Sequence, residues 1–76
     1  MKQRLPRVTA AQTIRALEKA GFIFSRQSGS HRIYKSNDGR RVTVPIHSGR
    51  ILHPKILQNI LRDADLTSEE FERLMK

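Results

Sequence analysis

The stretch HRIYKSNDGRRVTVPI, residues 31–46, decides the fold. It holds two short runs of alternating character, His31–Ser36 and Arg41–Ile46, around Asn37-Asp38-Gly39-Arg40. Asp-Gly between alternating runs is a strong hairpin signal, because a two-residue turn needs positive φ and these residues adopt it with little strain. With Asp38-Gly39 as that turn, Lys35 faces Val42, Ile33 faces Val44 and His31 faces Ile46. Side chains alternate along a strand, so Ile33, Val42, Val44 and Ile46 then share one face. Arg32, Tyr34, Arg41 and Thr43 share the other. One face is expected to meet a core, the other solvent or a ligand.

Upstream, Ser28-Gly29-Ser30 turns the chain back into a further strand over Phe22–Gln27. Thr9-Ala10-Ala11-Gln12 has the form of a capping box, with Thr9 as N-cap and Gln12 reaching back to it. Ala10, Ile14 and Leu17 recur at helical spacing and Gly21 supplies a stop, which predicts a helix over 10–20. Downstream, His47-Ser48-Gly49-Arg50 reads as a loop. His53 reads as the residue that leads into a second helix, with Pro54 at its first position. Ile56, Leu57, Ile60, Leu61 and Ala64 give that helix a broad apolar stripe. Thr67 and Glu70 repeat the capping logic, and Leu66 can staple onto Phe71 at the start of a short acidic helix within 66–75. Phe22 and Phe24 are assigned with Phe71 to core packing. MKQRLPR, residues 1–7, reads as a basic arm that Pro6 keeps extended. The order is α-β-β-β-α plus a short C-terminal helix. Burying these stripes calls for an α+β fold of the double-stranded-RNA-binding type: a three-stranded antiparallel sheet with both main helices on one face.

With 76 residues the chain has room for one core, so 1–76 is read as a single domain. It has no cysteine, which removes disulfides, thiolate zinc sites and cysteine nucleophiles. No apolar run approaches the ~20 residues that span a bilayer, and the expected setting is cytoplasmic, without a membrane. Charge is the strongest global feature. Residues 1–62 carry thirteen Lys and Arg against two acids, a net +11. Residues 63–76 carry two basic side chains against five acids, a net −3. A field of that size on so small a body draws polyanions, nucleic acid first among them.

Read from the residues alone, His31 is either a packing residue at the rim of the core face or a proton-transfer group, since histidine ordinarily titrates near neutral pH. His47, close to the same sheet end, is a second proton-transfer group, an RNA contact or an ordinary loop histidine. Ser28, Gly29 and Ser30 can present backbone N–H groups to a phosphate or simply turn the chain. Arg26, Arg32, Lys35, Arg40, Arg41, Arg50 and Lys55 surround the sheet. Each alone reads as a solvated charge; together they suit phosphate neutralisation. Tyr34, between Arg32 and Arg41 on the expected polar face, is placed to stack on a base. No metal site is expected, because the three histidines lack a carboxylate pattern. A Ser-His-Asp arrangement fails too: Asp38 belongs to a turn and the other aspartates lie beyond residue 62.

Four segments carry a resemblance: Leu17 through Gly21-Phe22, then Gly29-Ser30-His31, then Val42-Thr43-Val44-Pro45 with His47, then Pro54 to Leu61. In this order they resemble the HicA (YcfA-like) family of toxin-antitoxin modules, over nearly the whole chain from Pro6 to Met75. The resemblance implies a small endoribonuclease toxin that cleaves messenger RNA on a double-stranded-RNA-binding-like fold, with no metal or small-molecule cofactor. It also implies a HicB-like antitoxin that masks the catalytic histidine, and that histidine corresponds to His31. Two departures stand out. His53-Pro54-Lys55-Ile56 lacks the glycine that relatives often carry close after the proline, and Ile46 stands where a basic or polar residue is frequent. Two other readings of the same basic surface remain: a non-catalytic RNA-binding module, and an adaptor for an acidic protein. The first would be expected to begin its second helix with several lysines, where only Lys55 and Arg62 are available.

Overall fold

The computed structural model describes residues 5–76. Of the basic arm expected over 1–7, residues 1–4 therefore lie outside the described residues. The elements run α1 (Ala10–Lys19), β1 (Ile23–Ser28), β2 (His31–Lys35), β3 (Arg41–Pro45), α2 (Pro54–Ala64) and α3 (Ser68–Leu74). The strands form one antiparallel sheet in the order β1-β2-β3. This is the α+β architecture that the sequence implies.

Local chemistry fixes each helix end. Thr9 and Gln12 form the expected capping box, the Gln12 N–H donating to the Thr9 hydroxyl at 3.2 Å and the Thr9 N–H to Gln12 Oε1 at 2.9 Å. At the other end of α1, the Phe22 N–H donates to the Leu17 carbonyl at 2.9 Å and the Gly21 N–H to that of Glu18 at 3.0 Å. That pair is a Schellman motif, and it needs the left-handed φ of +100° that Gly21 adopts. α2 closes in the same way through Leu66 and Leu61, with Asp65 taking the left-handed position. His53 caps α2, its Nδ1 accepting the Lys55 N–H at 3.1 Å, and Pro54 follows at the first helical position. Thr67 and Glu70 form a second capping box on α3.

Two apolar clusters hold the layers together. Ala10, Ile14 and Leu17 of α1 meet Tyr34, Val42 and Val44 of the sheet and Ile60 and Ala64 of α2. Phe71 of α3, wholly buried, packs with Ala16, Leu57 and Leu61, and Leu66 lies against the same cluster as the expected staple. Burial of each of the Val, Leu, Ile and Phe side chains among them stabilises by about 1.5–3 kcal/mol. The helices therefore cover one face of the sheet only.

The hairpin register differs from the sequence expectation. Lys35 pairs with Arg41, Tyr34 with Val42, Ile33 with Thr43, Arg32 with Val44 and His31 with Pro45. The turn is one residue longer than a two-residue Asp-Gly turn. The Gly39 N–H donates to the Ser36 carbonyl at 3.2 Å and the Ser36 N–H to that of Arg40 at 2.9 Å, so Asn37-Asp38-Gly39 forms a three-residue loop. Gly39 takes φ +90° in it, as this loop class requires. A slip of one residue moves side chains to the opposite face. Tyr34 and Arg32 accordingly turn toward the helices, whereas Arg41 and Thr43 stay on the far side as expected. Tyr34 is 2% exposed and part of the core, so the base-stacking role expected of it is corrected. Ile33 moves to the uncovered face, yet is only 5% exposed, flanked by Arg26 and Thr43 across the sheet. Phe24 is 50% exposed and meets Tyr34 edge-on at 5.8 Å, so it is at most half a core residue.

Arg40 is the keystone of this turn. Its Nε bonds to Asp38 Oδ1 at 2.9 Å, its guanidinium donates to the Ala64 carbonyl at the end of α2, and it lies 5.2 Å from the centre of the Phe22 ring. It is a structural cation, not one of the free ones the sequence suggested. The Ser36 hydroxyl and Arg40 together hold the Asp38 carboxyl down at about 2. Replacing Arg40 with Met is expected to cost about 1–3 kcal/mol, read as a lower urea midpoint with an unchanged slope.

Glu70 gives a pH signature. Hydrogen bonds from the Thr67 backbone and side chain lower its carboxyl below the ordinary value of 4.5. A depressed carboxyl stabilises the fold above the unfolded value, and that contribution fades as pH falls through the folded one. Glu70→Gln keeps an acceptor without the charge. The parent is expected to melt above the variant at neutral pH, with the gap shrinking in thermal scans as pH falls below 4.5 and through the lowered folded value.

Candidate functional site

The uncovered face of the sheet can be built row by row from the pairing. Ser28, His31 and Pro45 form the row nearest the β1–β2 turn; Arg26, Ile33 and Thr43 form the next; Ile23, Lys35 and Arg41 form the third. Phase along β1 depends on a bulge between Phe24 and Arg26, which sends Arg26 to the uncovered face beside Ile33. Rows two residues apart along a strand lie about 6.8 Å apart, so the nine positions make a short, open plate. It carries three full cations, Arg26, Lys35 and Arg41, with a histidine at one end and no acid. An open face of single-sign charge suits an extended polyanion more than a small molecule.

His31 is exposed at the end of this plate. The sequence reading put it opposite Ile46 at the rim of the core face; the register sets it opposite Pro45 on the uncovered face instead. The packing role considered for it is thereby removed. Beside it, Gly29 and Ser30 join β1 to β2 as a two-residue turn, with Ser28 paired to His31. Gly29 has φ +58° at the first central position, as a type II′ turn requires. Apart from its two chain neighbours, no heavy atom of the described residues lies within 4 Å of where a Cβ would stand on it, so the turn's outer surface is open. The turn is also pinned. Gln27 Nε2 donates to the Gly29 carbonyl at 2.9 Å, and the Ile46 N–H donates to the Ser30 carbonyl at 2.6 Å.

The remaining expected residues fall elsewhere. Arg32 points to the helix side of β2, where its Nε donates to Gln27 Oε1 at 3.2 Å. His47 and Arg50 lie in the turn after β3, joined by the Arg50 N–H donating to the His47 carbonyl at 3.1 Å. His47, Arg32 and Ile46 line a pocket of about 420 Å³ with Thr9, Ala10, Ala11 and Ile14. His31 is not part of that lining. The structure thus gathers His31, Ser28, Gly29, Ser30, Arg26, Lys35 and Arg41 around one face, and groups Arg32 with His47 on the other. Lys55 stands exposed in the first turn of α2, and His53 has a structural task as its cap. Gln27, which the sequence reading passed over, links the two sides by holding both Gly29 and Arg32. Only the register reveals that role.

Among the described residues, no three His, Asp or Glu side chains gather as metal ligands. Nor is any helix of the described residues long and apolar enough to cross a membrane. Set against known proteins, residues 10–66 match the family model described as HicA toxin of bacterial toxin-antitoxin, which is more than half of the 76-residue chain. No curated protein matches the chain.

Proposed function

The chain belongs to the HicA toxin family of bacterial toxin-antitoxin systems, and from that footing we propose that it is a metal-independent endoribonuclease of messenger RNA in the cytoplasm, with His31 as its proton-transfer catalyst and a HicB-like antitoxin as its inhibitor. The observation that carries this reading is the position of His31. It stands exposed at the end of an uncovered plate bearing Arg26, Lys35 and Arg41, beside an open turn.

The chemistry follows from the donors at hand. RNA supplies its own nucleophile, the 2′-hydroxyl. A base removes that proton, the 2′-oxygen bonds to the adjacent phosphorus, and the P–O5′ bond breaks. The products are a 2′,3′-cyclic phosphate and a 5′-hydroxyl, the latter formed when an acid protonates the leaving oxygen. His31 serves one of these proton transfers. Cations on the plate bind flanking phosphates, and N–H groups of the Ser28-Gly29-Ser30 turn face the charge that develops on the phosphoryl oxygens. His47 is kept as the second proton-transfer group or an RNA contact, and Arg50 as a phosphate contact from the same loop. A HicB-like partner that covers the plate would block access, and acidic groups on it would speed association.

The decisive test is cleavage of a long single-stranded RNA in EDTA, with His31→Ala purified beside the parent. Removal of a proton-transfer group is expected to lower the cleavage rate about 10²–10⁴-fold while leaving RNA affinity nearly unchanged. Equal cleavage by both proteins would refute His31 as catalyst. Binding by both with cleavage by neither would instead make the chain a non-catalytic RNA-binding module.

Affinity for RNA is also expected to fall steeply with salt, log K against log salt having a slope of about −0.7 per phosphate neutralised on a single strand. Arg26→Gln and Arg41→Gln should each make that slope shallower by about 0.7. An affinity flat in salt would sink the electrostatic role of the plate.

A further inference from the structure

We propose that the pocket on the helix side of β2 is a nucleotide subsite, taking one unpaired base of an RNA strand against its apolar wall and that nucleotide's phosphate on Arg32 and His47. The proposal deepens the ribonuclease reading and rests on it for the identity of the strand. At about 420 Å³ the pocket is in the size range of small-molecule sites, about 300–1,000 Å³. Ala10, Ala11, Ile14 and Ile46 give it an apolar lining, and Arg32 and His47 line it with a guanidinium and an imidazole. No acid lines it. Small alanines leave room for a flat ring, and isoleucines give that ring apolar contact. An unpaired base with its phosphate satisfies both halves of this lining, whereas a carboxylate from a partner protein would leave the apolar volume empty.

Arg32 is set for this task before any ligand arrives. Its Nε is engaged by Gln27 Oε1 at 3.2 Å, and Gln27 Nε2 is in turn anchored to the Gly29 carbonyl at 2.9 Å. Neither terminal guanidinium nitrogen of Arg32 has a hydrogen-bond partner among the described residues. That leaves its paired donors free for a phosphate, in the geometry arginine uses for bidentate contact.

Continuity with His31 comes through the backbone. Arg32 follows His31 on β2 and points to the opposite face, while Ile46 and His47 follow Pro45, the cross-strand partner of His31. The sheet ends here, so a strand lying along the plate past His31 can pass over that end and place its next base in the pocket. Ile46 thereby serves as a wall of the pocket. The subsite would select which phosphodiester reaches His31.

The test starts with backbone amide NMR on the whole chain, titrated with the four 5′-nucleoside monophosphates and, separately, with inorganic phosphate. At least one nucleotide is expected to shift the amides of Ala11, Arg32, His47 and Gly49 and to bind about tenfold tighter than phosphate. Ala11→Leu fills the pocket from an exposed helical position with a good helix former, so the fold should survive. It should abolish the nucleotide-specific shifts, and on a long single-stranded RNA it should change which bonds are cut or lower kcat/KM about tenfold. Shifts fully reproduced by inorganic phosphate would reduce the pocket to an anion site and overturn the proposal. Nucleotide shifts confined to the plate would overturn it equally. If nucleotides occupy the pocket but the parent cuts no RNA in EDTA, the pocket assignment stands and the catalytic reading fails.

Discussion

Everything exposed on the uncovered face depends on one tight turn. The Ser36 N–H donates to the Arg40 carbonyl, Asp38 ties Arg40 back over the loop, and Gly39 makes the last bend with positive φ. The three-residue loop sets the β2–β3 register, and register alone decides which half of each strand meets the helices. A slip of one residue, with Val42 and Val44 kept in the core, would expose Tyr34, turn Ile33 inward and carry His31 to the core side. Arg40 adds a second restraint, because it joins this turn to the Ala64 carbonyl at the end of α2. The turn is therefore fixed relative to the helical layer as well as within the sheet. The face that His31 takes at the far end of β2 is inherited from a bond network at the near end.

That dependence explains what could be read from the sequence. Elements were legible because their signals are local: capping boxes at Thr9 and Thr67, a stop at Gly21, Pro54 at a helix start. Register was not, because Asp38-Gly39 serves equally in a two-residue turn and at the end of a three-residue loop. The choice between them rests on contacts that Arg40 makes with Ala64, twenty-four positions away. Alternation also misled at Ile33 and Tyr34. A β-branched aliphatic beside an amphipathic aromatic gives parity two answers. Tyrosine has a large apolar body, so it fills the core well, and Ile33 at the centre of a three-stranded face is covered by its neighbours. The candidate site survived this error in part. His31, Arg26, Lys35 and Arg41, singled out by residue type, share the uncovered face, while Arg32 and Tyr34, assigned to it by parity, lie on the other.

The structure also sorts a surplus of positive charge into separate tasks. Arg40 is spent on the fold, through an ion pair, a helix-end carbonyl and the Phe22 ring. Arg26, Lys35 and Arg41 stand on the plate with no acid among them. Arg32 faces the pocket, held through its Nε alone. The acids collect elsewhere. Glu69, Glu70 and Glu72 ride on α3, which Phe71 anchors to the helical layer on the other side of the sheet. The helical layer mixes both signs, with Arg15, Lys19, Lys55 and Arg62 on α1 and α2 beside the glutamates of α3, so the plate is the face on which positive charge stands without acids. Such a face draws a polyanion toward it.

A domain of this size has too little core to hollow out a deep active site, so a reactive side chain on it must be exposed. Exposure normally brings mobility, and a proton-transfer group tolerates little of that, since productive geometry holds only within about 0.5 Å. The β1–β2 turn reconciles the two demands. Its backbone bends through Gly29 with nothing crowding the outer surface, yet Gln27 holds the Gly29 carbonyl on one side and Ile46 the Ser30 carbonyl on the other. His31 follows directly after these two anchored peptides and is paired on both sides, to Ser28 and to Pro45. Rigidity comes from the backbone and openness from the absence of a covering layer, so neither is obtained at the expense of the other. The same Gln27 also holds Arg32 on the reverse face, which means that the plate and the pocket share one support. A strand of RNA bound across both would meet a single rigid edge rather than two independent patches.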